Sequence, residues 1–204
     1  MKKDGVYAQR IYPVVFMSLL TVVFITVVSG AYLTTEERVE LNQAIAEKKA
    51  VLYAAGIDYP EDDPVGVNEI YEERVKEFGG NGRTDYFEVE MPGGDQGYAV
   101  YVEGAGLWGQ IVTIFGFNRE LSTITGMEVV EQNETPGLGA RINEAWFKEQ
   151  FRDKKPPFTM VAEGTAEGSD EFDAITGATK TSESMRAIVN KSADTAREKI
   201  EEAN

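Results

Sequence analysis

The chain has 204 residues, 42% hydrophobic and 27% charged, which is enough for one packed domain plus a short extra element. Its formal net charge is −15, which excludes nucleic acid as a partner because that binding needs clustered Lys and Arg. Because it has no cysteine and no histidine, disulfides, Cys or His zinc sites, iron–sulfur and haem ligation and histidine-based catalysis are excluded.

The first predicted element is a membrane-spanning helix over residues 11–33, a stretch without charge. A helix of this length can cross a bilayer core of roughly 30 Å. Basic residues dominate before it and acidic residues follow it, which predicts a cytoplasmic N-terminus of residues 1–10. The rest of the chain is then expected outside the cell (inner) membrane. The flanking charges are Lys2, Lys3, Asp4 and Arg10 on one side, and Glu36 and Glu37 on the other.

A cleaved signal peptide is the alternative for this segment. Residues 29–31, Ser-Gly-Ala, resemble a small-residue cleavage site that follows a basic start. The apolar stretch is longer than the hydrophobic region of a usual signal peptide, which favours a single-pass anchor.

A helical stalk and linker is predicted over residues 34–82. Apolar positions in 35–55 recur at mostly helical spacing, and Gly56 is placed to end that helix. Residues 58–69 contain two prolines and several acids and are interpreted as a loop. Residues 70–78 then suggest a short amphipathic helix.

The remaining residues, 83–204, are predicted to form one α+β domain with a mainly antiparallel sheet flanked by helices. Its centre alternates apolar and polar residues between glycines, as strands do. Two later segments have helical character. The predicted strands are 86–91, 97–103, 110–117 and 123–131, and the predicted helices are 143–152 and 181–203.

The segment before the last helix has the chemistry of an anion site. Residues 173–181 read Asp-Ala-Ile-Thr-Gly-Ala-Thr-Lys-Thr, with three hydroxyls and Lys180 beside a predicted helix start. Unpaired N–H groups and the helix dipole favour a phosphate there. The alternative is that Thr179 or Thr181 merely caps the helix.

Two motifs resemble a known family. Asp173-x-x-Thr176-Gly-Ala-Thr179 resembles the signal of flavinylated proteins, in which a flavin transferase joins FMN through its phosphate to the last threonine. Residues 134–139, Glu-Thr-Pro-Gly-Leu-Gly, resemble a loop of the FMN-binding subunits RnfG and NqrC. The resemblance implies that residues 83–204 are an FMN-binding domain, with FMN held by a phosphoester to Thr179.

The resemblance also implies the remaining site residues. Residues 134–139 would border the flavin ring, although the same residues suit an ordinary turn. Leu107 and Trp108 could line the flavin or anchor the core of the sheet. Asp173 would serve flavin-transferase recognition or a local turn. The candidate cofactor residues are Thr176, Gly177, Ala178, Lys180, Thr181, Glu134, Thr135, Pro136, Gly137, Leu138, Gly139, Leu107 and Trp108; no metal ligand and no catalytic side chain is expected.

The implied function is an electron-relay subunit of a membrane complex that translocates Na⁺ or H⁺ while oxidising and reducing its substrates. Its partners would be multi-span and iron–sulfur or flavin subunits, with a flavin transferase acting during maturation. The main hypothesis is RnfG, within an Rnf-type ferredoxin:NAD⁺ oxidoreductase. NqrC, within the Na⁺-translocating NADH:quinone reductase, is kept open because residues 106–108, Gly-Leu-Trp, resemble that member more closely. A free-standing membrane-anchored electron shuttle and a non-redox adhesion or sensing module are the remaining hypotheses.

Overall fold

The computed structural model of the chain describes residues 5, 10–80 and 83–203. Most of the predicted cytoplasmic segment 1–10 therefore lies outside the described residues. The chain forms two compact units, of which the first ends at Ala44 and the second begins at Ile45. The sequence-based boundaries after residues 33 and 82 stay predictions.

One long helix, α1, covers Tyr12–Ala54 and joins the predicted membrane segment to the predicted stalk helix. In the described part of the chain it is the one helix long and apolar enough to cross a membrane, and none of its most apolar stretch is buried. The hydroxyls of Thr21 and Thr26 donate to the carbonyl oxygens of Met17 and Val22, each at 2.8 Å. These two polar groups are thus satisfied within the helix, as an apolar environment requires.

The linker differs from its prediction. A helix, α2, covers Pro64–Arg74: it begins inside the predicted loop 58–69 and includes the first five residues of the helix predicted over 70–78. A strand, β1, covers Val75–Gly80 in place of the rest of that predicted helix. Asp63 accepts a hydrogen bond from the Val65 N–H at 3.1 Å, and Pro64 follows it at the first helical position. Asp and Pro in these two places start a helix, so the predicted loop was wrong from Pro64 onward. The predicted helix was wrong beyond Arg74, because pairing with the next strand decides the conformation there.

A five-stranded antiparallel sheet forms the centre of the second unit. Its strands lie in sequence order, each paired with the next. The four strands predicted from alternation are confirmed, with ends that differ by a few residues. They are β2 (Arg83–Glu90), β3 (Gln96–Ala105), β4 (Gln110–Asn118) and β5 (Ile124–Glu131).

Short elements and one long helix complete the chain. In place of the predicted helix over 143–152 the chain forms one short α-helix and one 3₁₀ helix, which follow another 3₁₀ helix that ends at Asn143. Two strands that pair in parallel were not predicted. The last helix begins at Thr179, two residues before its predicted start. In order, these elements are a 3₁₀ helix (Gly139–Asn143), α3 (Ala145–Lys148), a second 3₁₀ helix (Glu149–Phe151), β6 (Thr159–Val161), β7 (Glu171–Asp173) and α4 (Thr179–Glu202).

Both faces of the sheet are buried. Phe115 and Phe117 pack in one core with Met185 and Val189 of α4. Ile114, from the same strand as the two phenylalanines, points the other way into a second core. That second core contains residues from the end of α1, from the segment just after it and from α2 (Ala50, Val51, Leu52, Ala54, Ala55, Ile57, Val67 and Tyr71). Successive side chains of β4 therefore point alternately into two buried cores, and not alternately into a core and into solvent.

The end of α1 rests on two glycines of the sheet. Gly116 of β4 and Gly126 of β5 are paired directly across the strands. The carbonyl oxygen of Ala54 lies over them and accepts a hydrogen bond from the Thr125 hydroxyl at 2.8 Å. A Cβ atom added at Gly126 would lie 2.8 Å from that oxygen, and one added at Gly116 would lie closer still. The helix end can dock here because these two positions carry no side chain.

Gly116→Ala is therefore expected to destabilise the protein. The added methyl meets backbone atoms that cannot move aside, and such overpacking costs about 1–3 kcal/mol or more. Chemical unfolding of the full chain in detergent measures the loss. Gly109→Ala is the control, because its Cβ would meet only the Asn133 side chain, at 3.3 Å. Equal stability of Gly116→Ala and the parent protein would contradict the docking described above.

Candidate functional site

Helix α4 begins at an exposed turn that contains the predicted attachment threonine. Gly177 has φ +82°, a conformation that glycine adopts without strain. Ala178 occupies the N-cap position, so no side-chain cap is present there. The Ser182 hydroxyl instead accepts a hydrogen bond from the Ile175 N–H at 2.9 Å. Neither Thr179 nor Thr181 caps the helix, so the capping alternative was wrong.

The first turn of α4 leaves several donors without partners. Within residues 10–80 and 83–203, the N–H groups of Thr179, Lys180 and Thr181 have no acceptor, and the Thr179 hydroxyl has no hydrogen bond. The Lys180 side chain is 72% exposed and pairs with Glu183 at 2.9 Å. Free N–H groups at the start of a 24-residue helix, beside an exposed hydroxyl, form a receptor for an anionic group.

Glu134 connects this turn to two other parts of the chain. Its side chain is buried, with 5% of the residue exposed. One carboxylate oxygen accepts hydrogen bonds from the N–H groups of Leu107 and Trp108, at 2.8 and 3.1 Å. The other accepts a short hydrogen bond from the buried Thr181 hydroxyl. The structure thus brings the two sequence motifs and the 107–108 turn together around one carboxylate.

Three large apolar side chains are exposed near the helix start. Leu138 is 42% exposed, Leu107 54% and Trp108 68%. The interpretation of Trp108 as a core anchor was therefore wrong. A Cβ atom on Gly177 would lie 3.1 Å from a methyl carbon of Leu138, so Leu138 adjoins the turn before Thr179. The backbone of Leu107 and Trp108 is tied to the helix start through Glu134, and exposed apolar groups of this size are typical of a binding surface.

The loop over residues 134–139 is a tight turn. Gly137 has φ +73°, and the carbonyl oxygen of Thr135 accepts hydrogen bonds from the N–H groups of Leu138 and Ala140, both at 3.1 Å. Thr135 and Pro136 are exposed, while Gly139 is buried. A Cβ atom on Gly139 would lie 2.6 Å from the Thr181 hydroxyl oxygen, so glycine is required for this approach.

Two charged residues that were not predicted from the sequence connect the segment after the 134–139 loop to the turn before α4. Arg141, in the first 3₁₀ helix, pairs with Glu163 at 3.0 Å. Glu163 also accepts a hydrogen bond from the Thr176 N–H at 2.7 Å. The Arg141 guanidinium, followed by the Thr176 N–H, lowers the pKa of the Glu163 carboxyl to about 2. Nothing in the sequence marks Glu163, because it lies between two strands of three residues.

Asp173, the first residue of the flavinylation-like signal, supports a local turn. One of its carboxylate oxygens accepts hydrogen bonds from the N–H groups of Thr165 and Ala166, at 2.9 and 2.8 Å. Its own N–H donates to the Gln150 side chain at 2.6 Å. These hydrogen bonds agree with the local turn that was predicted as one of the two alternatives for Asp173.

An open groove of about 400 Å³ lies beside the helix start. One wall is the end of β3 and the residues after it, 104–107. The other wall is one face of α4, from Lys180 to Lys191. A Cβ atom on Gly104 would collide with the Ile188 side chain, so this side chain packs directly against the strand backbone at Gly104.

Comparison with known proteins relates this chain to FMN-binding proteins. The family model described as FMN-binding domain matches residues 106–194, which contain the 107–108 turn and both motifs. The G subunit of the ion-translocating oxidoreductase complex of Methanosarcina acetivorans is 30% identical over 184 residues, 86% of this chain and 91% of the relative. The G subunit of the Na⁺-translocating ferredoxin:NAD⁺ oxidoreductase complex of Acetobacterium woodii is 39% identical over 90 residues, 43% of this chain and 42% of that protein.

A solved structure has the same fold. The crystal structure of the C subunit of the Na⁺-translocating NADH-quinone reductase from Parabacteroides distasonis matches with a TM-score of 0.64 and 23% identity, over 79% of this chain and 94% of that one. The predicted α+β class is confirmed by this likeness and by the sheet and helices described above. The chain therefore belongs to the family of FMN-binding subunits of ion-translocating oxidoreductase complexes, RnfG and NqrC, which its motifs resemble.

Proposed function

We propose that this chain is the electron-relay subunit of an Rnf-type ion-translocating oxidoreductase and that it carries FMN in a phosphoester bond to Thr179. The observation that carries the proposal is the Thr179 hydroxyl, exposed and without a hydrogen bond among the described residues, at the start of α4. A hydroxyl in this position is accessible to a modifying enzyme. The adjoining free N–H groups favour the phosphate that the bond would place there.

The residues around Thr179 suit both ends of an FMN molecule. The N–H groups at positions 179–181 can hold the phosphate, while Thr176, Gly177 and Ala178 fix the turn that presents it. The exposed side chains of Leu107, Trp108 and Leu138 offer apolar surface to a flat ring. Lys180 adds a cation at the rim.

The protein's part in this role is to bind and position. Bound FMN supplies chemistry that accepts two electrons and releases them singly. Thr179 is an attachment point, and the loop 134–139 with the 107–108 turn would border the ring. The role requires neither a catalytic side chain nor a metal ligand of this chain. Asp173 is assigned to recognition by the flavin transferase in addition to its hydrogen bonds to the 165–166 turn.

The relatives favour a member of a complex over a free-standing protein. The Methanosarcina relative, whose name describes a G subunit, is aligned over 91% of its length. The matched protein from Parabacteroides, a C subunit, is similar in fold at 23% identity. NqrC of the quinone reductase is the alternative within the same family, and a free-standing membrane-anchored shuttle is the alternative outside a complex.

Replacing Thr179 tests the attachment site. Intact-mass spectrometry of the full chain, produced together with a flavin transferase, should give a mass increase equal to one FMN less one water. The increase and the in-gel flavin fluorescence should both disappear in Thr179→Ala, because the variant lacks the hydroxyl to which the phosphate is proposed to be joined. Thr195→Ala, on the same helix, is the control and should be fully modified. Modification of Thr179→Ala, or its absence from the parent protein, would overturn the proposed linkage.

Gentle purification tests the partners. The full chain, tagged at its C-terminus and extracted in mild detergent, is expected to copurify with several multi-span membrane proteins and with iron–sulfur or flavin subunits. Mass spectrometry identifies them, and the proteins recovered also distinguish an Rnf complex from a quinone reductase. Purification of a flavin-bearing chain alone from native membranes would favour the free-standing shuttle.

The proposed topology places residues 1–10 in the cytoplasm and the FMN-binding domain outside the membrane. The chain has no cysteine, so single-cysteine variants give an unambiguous readout. In intact cells, Asp62→Cys should react with a membrane-impermeant maleimide, whereas Gly5→Cys should react only after lysis. The reverse pattern would overturn the orientation. Loss of residue 5 from the mature chain would instead indicate a cleaved signal peptide.

A further inference from the structure

Glu134 is the one carboxylate less than a tenth exposed in the described part of the chain. We propose that Glu134 is a positioning residue, not a cofactor ligand. Its carboxylate holds the 107–108 turn against the start of α4, so that the exposed side chains of Leu107 and Trp108, the apolar wall of the cofactor site, are in place before FMN is attached. That this turn serves a cofactor rests on the proposed function. That Glu134 holds the turn in place rests on the hydrogen bonds of its carboxylate alone.

Both oxygens of the Glu134 carboxylate are already occupied. One receives two backbone N–H groups of the 107–108 turn, and the other receives the Thr181 hydroxyl. Glycine backbone closes two further sides. A Cβ atom on Gly106 would lie 2.5 Å from one carboxylate oxygen, and one on Gly139 would lie 2.8 Å from the other. The carboxylate therefore faces protein donors rather than solvent.

The 107–108 turn has little else to fix its orientation. It is the tip of the β3–β4 hairpin, closed by a hydrogen bond of 2.7 Å from the Gly106 N–H to the Gly109 carbonyl oxygen. Its two large side chains are mostly exposed, so packing restrains them weakly. Two hydrogen bonds to an ionised acceptor are stronger than neutral ones and fix the direction of both N–H groups.

The carboxylate and the proposed phosphate use different donors of α4. Glu134 takes the Thr181 side-chain hydroxyl, which leaves the backbone N–H groups of Thr179, Lys180 and Thr181 without an acceptor among the described residues. The positive end of the helix dipole also favours the buried charge of Glu134. Two anionic groups can thus share one helix start without competing for the same hydrogen.

The test uses the full chain in detergent, made without a flavin transferase. The two tryptophans are Trp108 and Trp146, so a Trp146→Phe background makes Trp108 the only indole. In that background, Glu134→Ala should raise amide hydrogen exchange at positions 107 and 108 roughly tenfold or more and lower the Trp108 fluorescence anisotropy, because hydrogen bonds to a charged acceptor are lost. Glu131→Ala, an exposed acid three residues earlier, should change neither.

Glu134→Gln provides the rescue. Its amide oxygen can accept from both N–H groups and its NH₂ can donate to the Thr181 oxygen, so exchange at 107 and 108 should stay near the parent value. Thr181→Val removes only one donor and should raise that exchange less than Glu134→Ala does. If Glu134→Ala fails to fold, Thr181→Val and Glu134→Gln carry the test. Unchanged exchange in a folded Glu134→Ala, or in Thr181→Val if Glu134→Ala does not fold, would overturn the proposal.

The flavin-loaded protein gives an independent readout. With the transferase present, Glu134→Ala should still gain the FMN mass at Thr179, but the visible circular dichroism of the flavin should fall because the wall is no longer fixed. Visible circular dichroism equal to that of the parent protein would contradict the positioning role. A parent protein without FMN would overturn the proposed function and leave the hydrogen-exchange result standing, so the two failures are distinguishable.

Discussion

A buried carboxylate must find hydrogen-bond donors, and Glu134 finds them far away in the sequence. The N–H groups of the 107–108 turn lie 26 and 27 residues before it, and the Thr181 hydroxyl lies 47 residues after it. Those donors come together only when the β3–β4 hairpin, the loop after β5 and the start of α4 have all taken their places. The site is therefore a product of the complete domain, and no single motif contains it.

The charges around the site explain why a covalent bond suits the proposed cofactor. The chain carries a net charge of −15, and two cations near the helix start are paired with acids. Lys180 pairs with Glu183, and Arg141 pairs with Glu163. These two pairings weaken the electrostatic attraction of Lys180 and Arg141 for a doubly charged phosphate. The backbone N–H groups can orient the phosphate, while the proposed bond to Thr179 prevents its loss.

The sequence predicted those parts of the fold that have a regular pattern or a family motif. Alternation located four of the five strands of the main sheet, and the apolar positions of the last helix, such as Met185 and Val189, are buried as expected. β1 was missed because its six residues follow a helix and become a strand through pairing with β2. β6 and β7 have three residues each, too few for a period to be recognised. Glu163 and the buried contacts of Glu134 depend on distant partners, which local patterns do not encode.

The exposure of Thr179 has a consequence for the order of events in the life of the protein. The turn over residues 176–179 is on the surface apart from Ala178. On the proposed role, a fully folded and colourless form can precede the coloured one, and the modifying enzyme can act without unfolding its target. The supply of active protein would then be set by the availability of flavin and enzyme, separately from the rate at which the chain is synthesised.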